Sequence, residues 1–332
     1  MLTLNQKKIL KLLAINCRFT NKDIAKSVGI SEDAVAYQIE KLIVREKLSS
    51  FVANFVINKF GFYHHHYLIR VKDLDKLNVE SLKEIKEIFF INTSTGNYDI
   101  QLIIAHSTDE ELIRVKEQID TILRDNISES VMLKFFKQYK FTNMTPIYDV
   151  AVKIPANRKN PLYKLNKENW YVEDVDCSQI PSLSLGEKQT IKQLIKNARA
   201  TYSEIGKNTS QSYETVRQQI IKFAQKGYIG NFGAFPNYEK YGYFGVFFLM
   251  NVAELDDKKI LAYVATKKNI FYAAKLIGKY NLILYYVAEK PTELHRESYE
   301  LRQLFKEKVL GLEMLTFEKT AKSVQFPMVL LD

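Results

Sequence analysis

The chain has 332 residues, 46% hydrophobic and 12% aromatic, with 48 Lys and Arg against 38 Asp and Glu for a net charge of +10. That composition excludes wholesale disorder, and the two cysteines, Cys17 and Cys177, support neither a disulfide framework nor a zinc site. No run approaches the ~18 apolar residues of a membrane span, and the charged start LNQKKIL lacks a signal-peptide layout, so a soluble, cytoplasmic chain with no membrane partner is expected.

In chain order, Asn5 to Ile15 reads as a first helix with Ile9, Leu10, Leu12 and Leu13 on its buried side. Phe19 to Lys47 then reads as two short helices around a tight turn. Thr20 caps the first, with Ile24, Ala25 and Val28 inward; Gly29 supplies the turn; Ser31 caps the second, which carries Val35, Ile39, Leu42 and Ile43. This is a helix-turn-helix, whose second helix would lie in a DNA major groove with the residues after its cap facing base edges. The alternation in LSSFVANFVINKFG follows as a wing or exit strand holding Phe51 and Phe55.

From Phe62 the pattern becomes strand, helix, strand, strand, helix, strand: FYHHHYLIRV, NVESLKEIKEI, FFINTST, Tyr98 to His106, Thr108 to Arg124 with Glu111 at capping-box spacing, and VMLKFFKQYKF. That order is the ferredoxin-like α/β sandwich, which leaves one sheet face in need of a cover. The stretch after it, Tyr148 to Leu183, contains Trp170 and reads as a linker whose aromatic content docks it on a domain.

Everything before the linker occurs again after it. A shift of about 181 positions places Arg18 on Arg199, Ile24 on Ile205, Ser31 on Ser212, Val35 on Val216, Ile39 on Ile220 and Gly61 on Gly242. With one residue inserted, Gly96 falls on Gly278, Tyr98 on Tyr280, Leu112 on Leu294, Met132 on Met314 and Phe135 on Phe317. The expected fold class is α+β, two tandem copies of a winged helix-turn-helix followed by a ferredoxin-like (βαββαβ) α/β sandwich. The expected boundaries are 1–60, 61–147, a linker over 148–183, 184–241 and 242–332. The two ferredoxin-like sheets can cover each other. Residues 1–60 hold 10 Lys and Arg against 5 Asp and Glu, and residues 183–242 hold 9 against 4, so the two helix-turn-helix segments account for the whole excess of charge.

The DNA-facing candidates are Ser31, Glu32, Asp33, Ala34, Tyr37, Gln38 and Lys41 in the first recognition helix. In the second they are Ser212, Tyr213, Glu214, Thr215, Arg217, Gln218, Gln219 and Lys222. Glutamine can pair with adenine, arginine with guanine and an acid only with a cytosine amino group, so the two half-sites on double-stranded DNA should differ. In the run His64, His65, His66, strand alternation puts the first and third on one face and His65 on the other. A metal site would need His106 as well and is not expected.

The helix-turn-helix pattern, together with the turn Gly96-Asn97-Tyr98-Asp99 in a ferredoxin-like unit, resembles the Lrp/AsnC (feast/famine) transcription regulators across both copies. The resemblance implies a DNA-binding regulator that self-associates through its ferredoxin-like domains, here in a tandem form able to build the dimer internally. It also implies an amino acid or related small molecule as effector. Gly96, Tyr98, Asp99, Gly278, Tyr280 and Asn281 are the effector candidates, although the glycine and Asp99 have a simpler use in shaping the turn. The chain departs from that pattern where Gln38 and Gln219 replace an arginine, and where Asn281 replaces the aspartate. Siroheme decarboxylases resemble the same two-domain unit and are the alternative, but the tryptophan- and proline-bearing motif expected before Tyr98 or Tyr280 is missing. No other enzymatic constellation stands out, and no cofactor is implied.

Overall fold

The protein is described from a computed structural model, over residues 2–45, 48–143, 146, 149–156, 160–165 and 181–331. Lys47, Trp170, Cys177 and most of the linker lie outside the described residues.

The first helix-turn-helix comprises α1 (Leu4–Ile15), α2 (Asn21–Val28) and α3 (Glu32–Val44). Thr3 and Gln6 cap α1 reciprocally, Thr20 accepts from Asp23 N on α2, and Ser31 accepts from Ala34 N on α3. Gly29, at φ 83°, makes the left-handed exit from α2 that a side chain would resist. Next come β1 (Leu48–Phe55), β2 (Tyr63–Val71), α4 (Val79–Lys83), β3 (Ile88–Thr95), β4 (Ile100–His106), α5 (Asp109–Leu123) and β5 (Ile127–Phe141). The helix expected over NVESLKEIKEI is only the five residues of α4, because Ile85 and Ile88 turn away to pack beneath the sheet. Glu111 caps α5 one residue early, accepting from Ser107 N rather than Thr108 N.

The second copy repeats the order with α6 (Leu185–Lys196), α7 (Tyr202–Thr209), α8 (Tyr213–Gln225), β6 (Ile229–Pro236), β7 (Phe244–Val252), α9 (Asp257–Thr266), β8 (Ile270–Ile277), β9 (Leu282–Ala288), α10 (Pro291–Phe305) and β10 (Val309–Ser323). Where Gly29 stands in the first copy the second has Ser210, also left-handed at φ 55°.

The strands following the recognition helices are exit strands that pair across the copies, β1 antiparallel to β6. Phe51 opposes Ala234, Ala53 opposes Phe232 and Val52 opposes Gly233, so exchanging equivalent residues maps the ribbon onto itself about the Val52–Gly233 pair. A side chain at Gly233 would collide with Asn143.

The ferredoxin-like sheets do not stack as two separate layers. They merge into one closed barrel in the order β10-β3-β4-β2-β5-β8-β9-β7. The two 15-residue strands make the closure: β5 runs beside β2 and then, from Lys134 on, beside β8, while β10 runs beside β7 and then, from Thr316 on, beside β3. Alternation along β2 sends Tyr67 and Ile69 outward under α4 and α5, and Leu68 inward. One end of the barrel interior is filled by Leu68, Tyr98, Leu133, Leu249, Leu276, Tyr280 and Leu315.

A single apolar core joins the two helix-turn-helix units to the ribbon, with Leu162 and Tyr163 of the linker and Phe326 near the C-terminus inside it. Asn16 Nδ2 donates to Leu162 O at 2.9 Å, and Tyr163 Oη accepts from Thr20 N at 3.1 Å, so this part of the linker is docked on the first unit.

Candidate nucleic-acid interface and the barrel interior

On the recognition helices, burial of Val35, Ile39 and Leu42, and of Val216, Ile220 and Ile221, turns a fixed set of residues to the outside. Ser31, Glu32, Asp33 and Tyr37 on the first, and Ser212, Tyr213, Glu214, Thr215, Gln218 and Lys222 on the second, are exposed; Ala34, Lys41 and Arg217 are half-buried. Tyr37 is 57% exposed, a surface rather than a core position, with Lys41 Nζ 5.5 Å from its ring centre.

Gln38 and Gln219 belong to the packing instead. Gln38 Oε1 accepts from Gln6 at 2.9 Å, while Gln219 accepts from Thr190 Oγ1 at 2.6 Å and donates to Gln211 at 2.8 Å. They tie each recognition helix to its neighbours, so their amides are committed before any base approaches. The cations of α8 are also committed: Arg217 to Glu214 at 2.8 Å and Lys222 to Glu187 at 2.6 Å. On α3, Lys41 stands against Glu32, Asp33 and Glu40. The two outer faces therefore differ in charge as well as in sequence.

Two arginines that contribute to the basic excess form a reciprocal clamp between the copies. Arg18 Nη1 donates to Ala198 O at 3.1 Å and Ala200 O at 2.5 Å, with its guanidinium 4.7 Å from the Tyr202 ring centre. Arg199 donates to Cys17 O, to Phe19 O at 2.9 Å and to Asn21 Oδ1 at 2.6 Å. Burial lowers the Arg199 guanidinium from its ordinary value, and raises the Cys17 thiol to about 12. Both arginines are thus taken out of the supply of phosphate ligands.

The glycine-tyrosine turns meet at the same pseudo-twofold axis. Gly96 (φ 135°) and Gly278 (φ 142°) lie against the opposite copy's last strand; a Cβ would come 2.7 Å from Met314 O at the first and 2.8 Å from Leu133 Cδ2 at the second. The Tyr98 and Tyr280 hydroxyls are 3.4 Å apart, and Lys279 Nζ donates to Tyr98 Oη at 2.9 Å. Asp99 Oδ2 accepts from Val71 N at 2.8 Å; Asn281 Oδ1 accepts from Val252 N at 2.9 Å and its Nδ2 donates to Val252 O at 2.7 Å. The atoms expected to meet an effector are engaged within the chain, in the turn-shaping use.

The histidine run divides as alternation requires. His65 faces outward and pairs its Nδ1 with His106 Nε2 at 2.9 Å, and His106 Nδ1 lies 3.0 Å from Thr108 O. A carbonyl only accepts, so His106 carries its proton on Nδ1 and accepts from His65. His64 and His66 face the barrel interior, where burial, followed by the neighbouring histidines, holds His64 well below its ordinary value and His66 down to about 3. Among the described residues no three His, Cys, Asp or Glu side chains converge as a metal site.

These two histidines line a cavity of about 670 Å³ that fills the other end of the barrel, beneath the β1–β6 ribbon. Asn92, Gln138, Phe135, Phe271, Tyr272, Tyr285 and Phe317 line it too, and the exposed Ser49, Ser50, Glu239 and Glu318 bring it to the surface. Sequence reading passed over Asn92 and Gln101; the available signal was an amide at an inward position of a strand.

A sequence model described as the AsnC-type helix-turn-helix domain matches residues 7–43. An uncharacterized HTH-type transcriptional regulator of Pyrococcus furiosus is 26% identical over 142 residues, 42% of this chain and 94% of that protein. One of Pyrococcus horikoshii is 28% identical over 123 residues, 36% of this chain and 77% of that protein. Among solved structures, the siroheme decarboxylase NirDL superposes with a TM-score of 0.60 over 97% of this chain and 94% of its own, at 14% identity, a likeness of fold. The chain thus carries an AsnC-type helix-turn-helix domain at residues 7–43 and resembles the Lrp/AsnC transcription regulators in a tandem, two-copy form.

Proposed function

We propose that this chain is a sequence-specific double-stranded-DNA-binding transcription regulator, an internal pseudo-dimer that reads an operator with two unlike half-sites. One observation carries the reading: the arginine clamp and the β1–β6 ribbon hold two helix-turn-helix units in one body about a pseudo-twofold axis, while their outward residues differ. The first offers Ser31, Glu32, Asp33, Ala34, Tyr37 and Lys41, and the second Ser212, Tyr213, Thr215, Arg217, Gln218 and Lys222. Arginine or glutamine reads purines bidentately in the major groove, so the second helix is the one equipped for it once Arg217 and Gln218 exchange their surface bonds to Glu214 for a base edge. With Arg18 and Arg199 engaged internally, phosphate contact falls to surface lysines such as Lys22, Lys26 and Lys207. A transcription regulator of this kind works in the cytoplasm.

Selection of bound fragments from a random double-stranded pool, followed by affinity against salt, tests the proposal. The expected result is a two-part asymmetric motif, half-sites about one helical turn apart, with affinity falling steeply as salt rises. A palindrome would overturn the asymmetric reading, and sequence-blind binding the regulator itself.

The NirDL-like fold supplies a second reading, a tetrapyrrole enzyme. The same enzyme has been solved with an iron-uroporphyrin III analogue, a polycarboxylate. Among the described residues the lining of the cavity holds one cation, Lys319, beside Glu239 and Glu318, which is the wrong charge for such a substrate.

A further inference from the structure

We propose that the barrel cavity is a binding site for an uncharged, planar heteroaromatic molecule, held flat by an aromatic wall from one copy and along its hydrogen-bonding edge by a polar wall from the other.

The two walls come from equivalent positions that have diverged. Where β2 presents His64 and His66, β7 presents Gly245 and Phe247; where β3 presents Phe90 and Asn92, β8 presents Tyr272 and Ala274; where β4 presents Gln101 and Ile103, β9 presents Ile283 and Tyr285. The first copy thus has imidazoles and amides at positions where the second has rings, an isoleucine or small residues. Gly245 is part of this arrangement, since a Cβ there would run into the Tyr285 and Phe317 rings, which turn into the space instead. Phe247, Tyr285 and Phe317 pack as a cluster with ring centres 4.4 to 5.2 Å apart, Phe317 edge to face with both others and Phe247 tilted against Tyr285. Two identical units pairing about a true twofold would give two identical walls; a covalent duplication allows one of each.

The polar wall is unpartnered where it faces inward. His64 Nδ1, His66 Nε2 and both amide atoms of Asn92, which line the cavity, are buried without a hydrogen-bond partner in the protein; Gln101 Oε1, behind His66 and outside the lining, is unpartnered too. His66 is 1% exposed, as are Asn92 and Gln101. Gln101 Nε2 donates to His66 Nδ1 at 2.9 Å, so neutral His66 turns an Nε2–H donor to the interior. Phe135 lies stacked on His64 at 4.0 Å, extending a flat surface beneath these groups. Donors and acceptors without charge select a neutral ligand, because a carboxylate or ammonium brought here would find no counter-ion beyond the Lys319, Glu239 and Glu318 in the lining. Burial keeps both inward histidines uncharged at neutral pH. The volume suits a bicyclic or tricyclic ring system.

This goes beyond the DNA-binding reading and is tested without DNA. The full-length protein is titrated into lumichrome, a neutral tricycle with an amide edge, and its fluorescence followed; iron-uroporphyrin is run in parallel as the anionic probe. Saturable one-to-one quenching of lumichrome is expected. Asn92→Leu and His66→Leu, each an apolar group close in size to the original, should weaken it about tenfold or more, and Gly245→Leu should abolish it by filling the space. Tyr299→Ala on the exposed side of α10 should leave it unchanged. Circular dichroism melting identifies any variant whose loss reflects unfolding, and Asn92→Leu, which keeps the branched shape and adds no heavy atoms, decides if Gly245→Leu unfolds. No saturable binding of lumichrome, binding indifferent to Asn92→Leu, or preference for iron-uroporphyrin would overturn the proposal.

Discussion

Replacing Arg199 by methionine keeps most of the side-chain stem and removes the guanidinium from the clamp. Three acceptors in the first copy lose their donor: Cys17 O, Phe19 O and Asn21 Oδ1. A hydrogen bond to a charged group contributes ~1.5–3 kcal/mol net, so three represent roughly 4–9 kcal/mol before any recovery. None of the acceptors is a carboxylate, and burial already disfavours the charged guanidinium, so removing it returns part of that sum as relieved desolvation. A net loss of about 3 kcal/mol is expected. Arg18→Met removes a donor from two carbonyls and a cation from the Tyr202 ring, and should cost about 2 kcal/mol. Urea unfolding of the full chain, followed by circular dichroism, measures both. A second readout separates clamp from phosphate ligand: a phosphate contact would lower the slope of log affinity against log salt by about one, whereas a clamp residue leaves that slope unchanged. Losses below ~0.5 kcal/mol in both variants, or a flattened salt slope with stability intact, would refute the reasoning.

Two further outcomes follow from the buried polar groups. The folded-state values of His64, His65 and His66 are all depressed, His65 to about 4 and His66 to about 3. As pH falls from 6.5 the unfolded chain takes up protons that the folded chain refuses. Stability should therefore be fully present above about 6.5 and fall by about 1.4 kcal/mol per pH unit for each histidine, down to the folded values; His66→Asn should flatten the dependence by one histidine's share. The midpoint of urea unfolding from pH 7 to 4 checks this, and a flat profile would contradict it. Asp99→Asn should change stability by less than ~1 kcal/mol, because Asn281 already makes the equivalent bond to Val252 N and adds one to Val252 O, while Asn281→Leu leaves both main-chain groups without it and should cost about 2 kcal/mol. Thermal melting of the two variants gives the comparison, and a large loss for Asp99→Asn would mean its charge matters.

The elements carried by local chemistry were legible. Thr20, Gly29 and Ser31 bracket the helix-turn-helix because capping oxygens and a left-handed glycine act within a few residues of their place in sequence. The repeat told that both copies share one design. What it could not convey was partnership at long range. The long strands β5 and β10 have one continuous pattern but serve two neighbours each, and only the register shows where the handover falls, at Lys134 and Thr316. Arg18 and Arg199 read as surplus positive charge because their acceptors are main-chain carbonyls, which any residue supplies and no sequence displays. Gln38 and Gln219 sit at positions of a recognition helix that alternate between packing and reading, and the deciding partners, Gln6 and Thr190, lie in the first helix of each unit. For the histidines, alternation gave the correct faces, but His106 joins His65 on the outer side rather than the inward pair.

A barrel whose eight strands close on themselves within one polypeptide behaves differently under dilution from one assembled by two subunits. Partners that meet by diffusion separate once their concentration drops below the dissociation constant, and their function then varies with the square of the amount present. Here the second half arrives at fixed stoichiometry with every copy synthesised, and the effective concentration of one half for the other is set by the connecting chain. The protein should remain paired at a few copies per cell, its occupancy of any target rising in proportion to its abundance rather than switching on at a threshold.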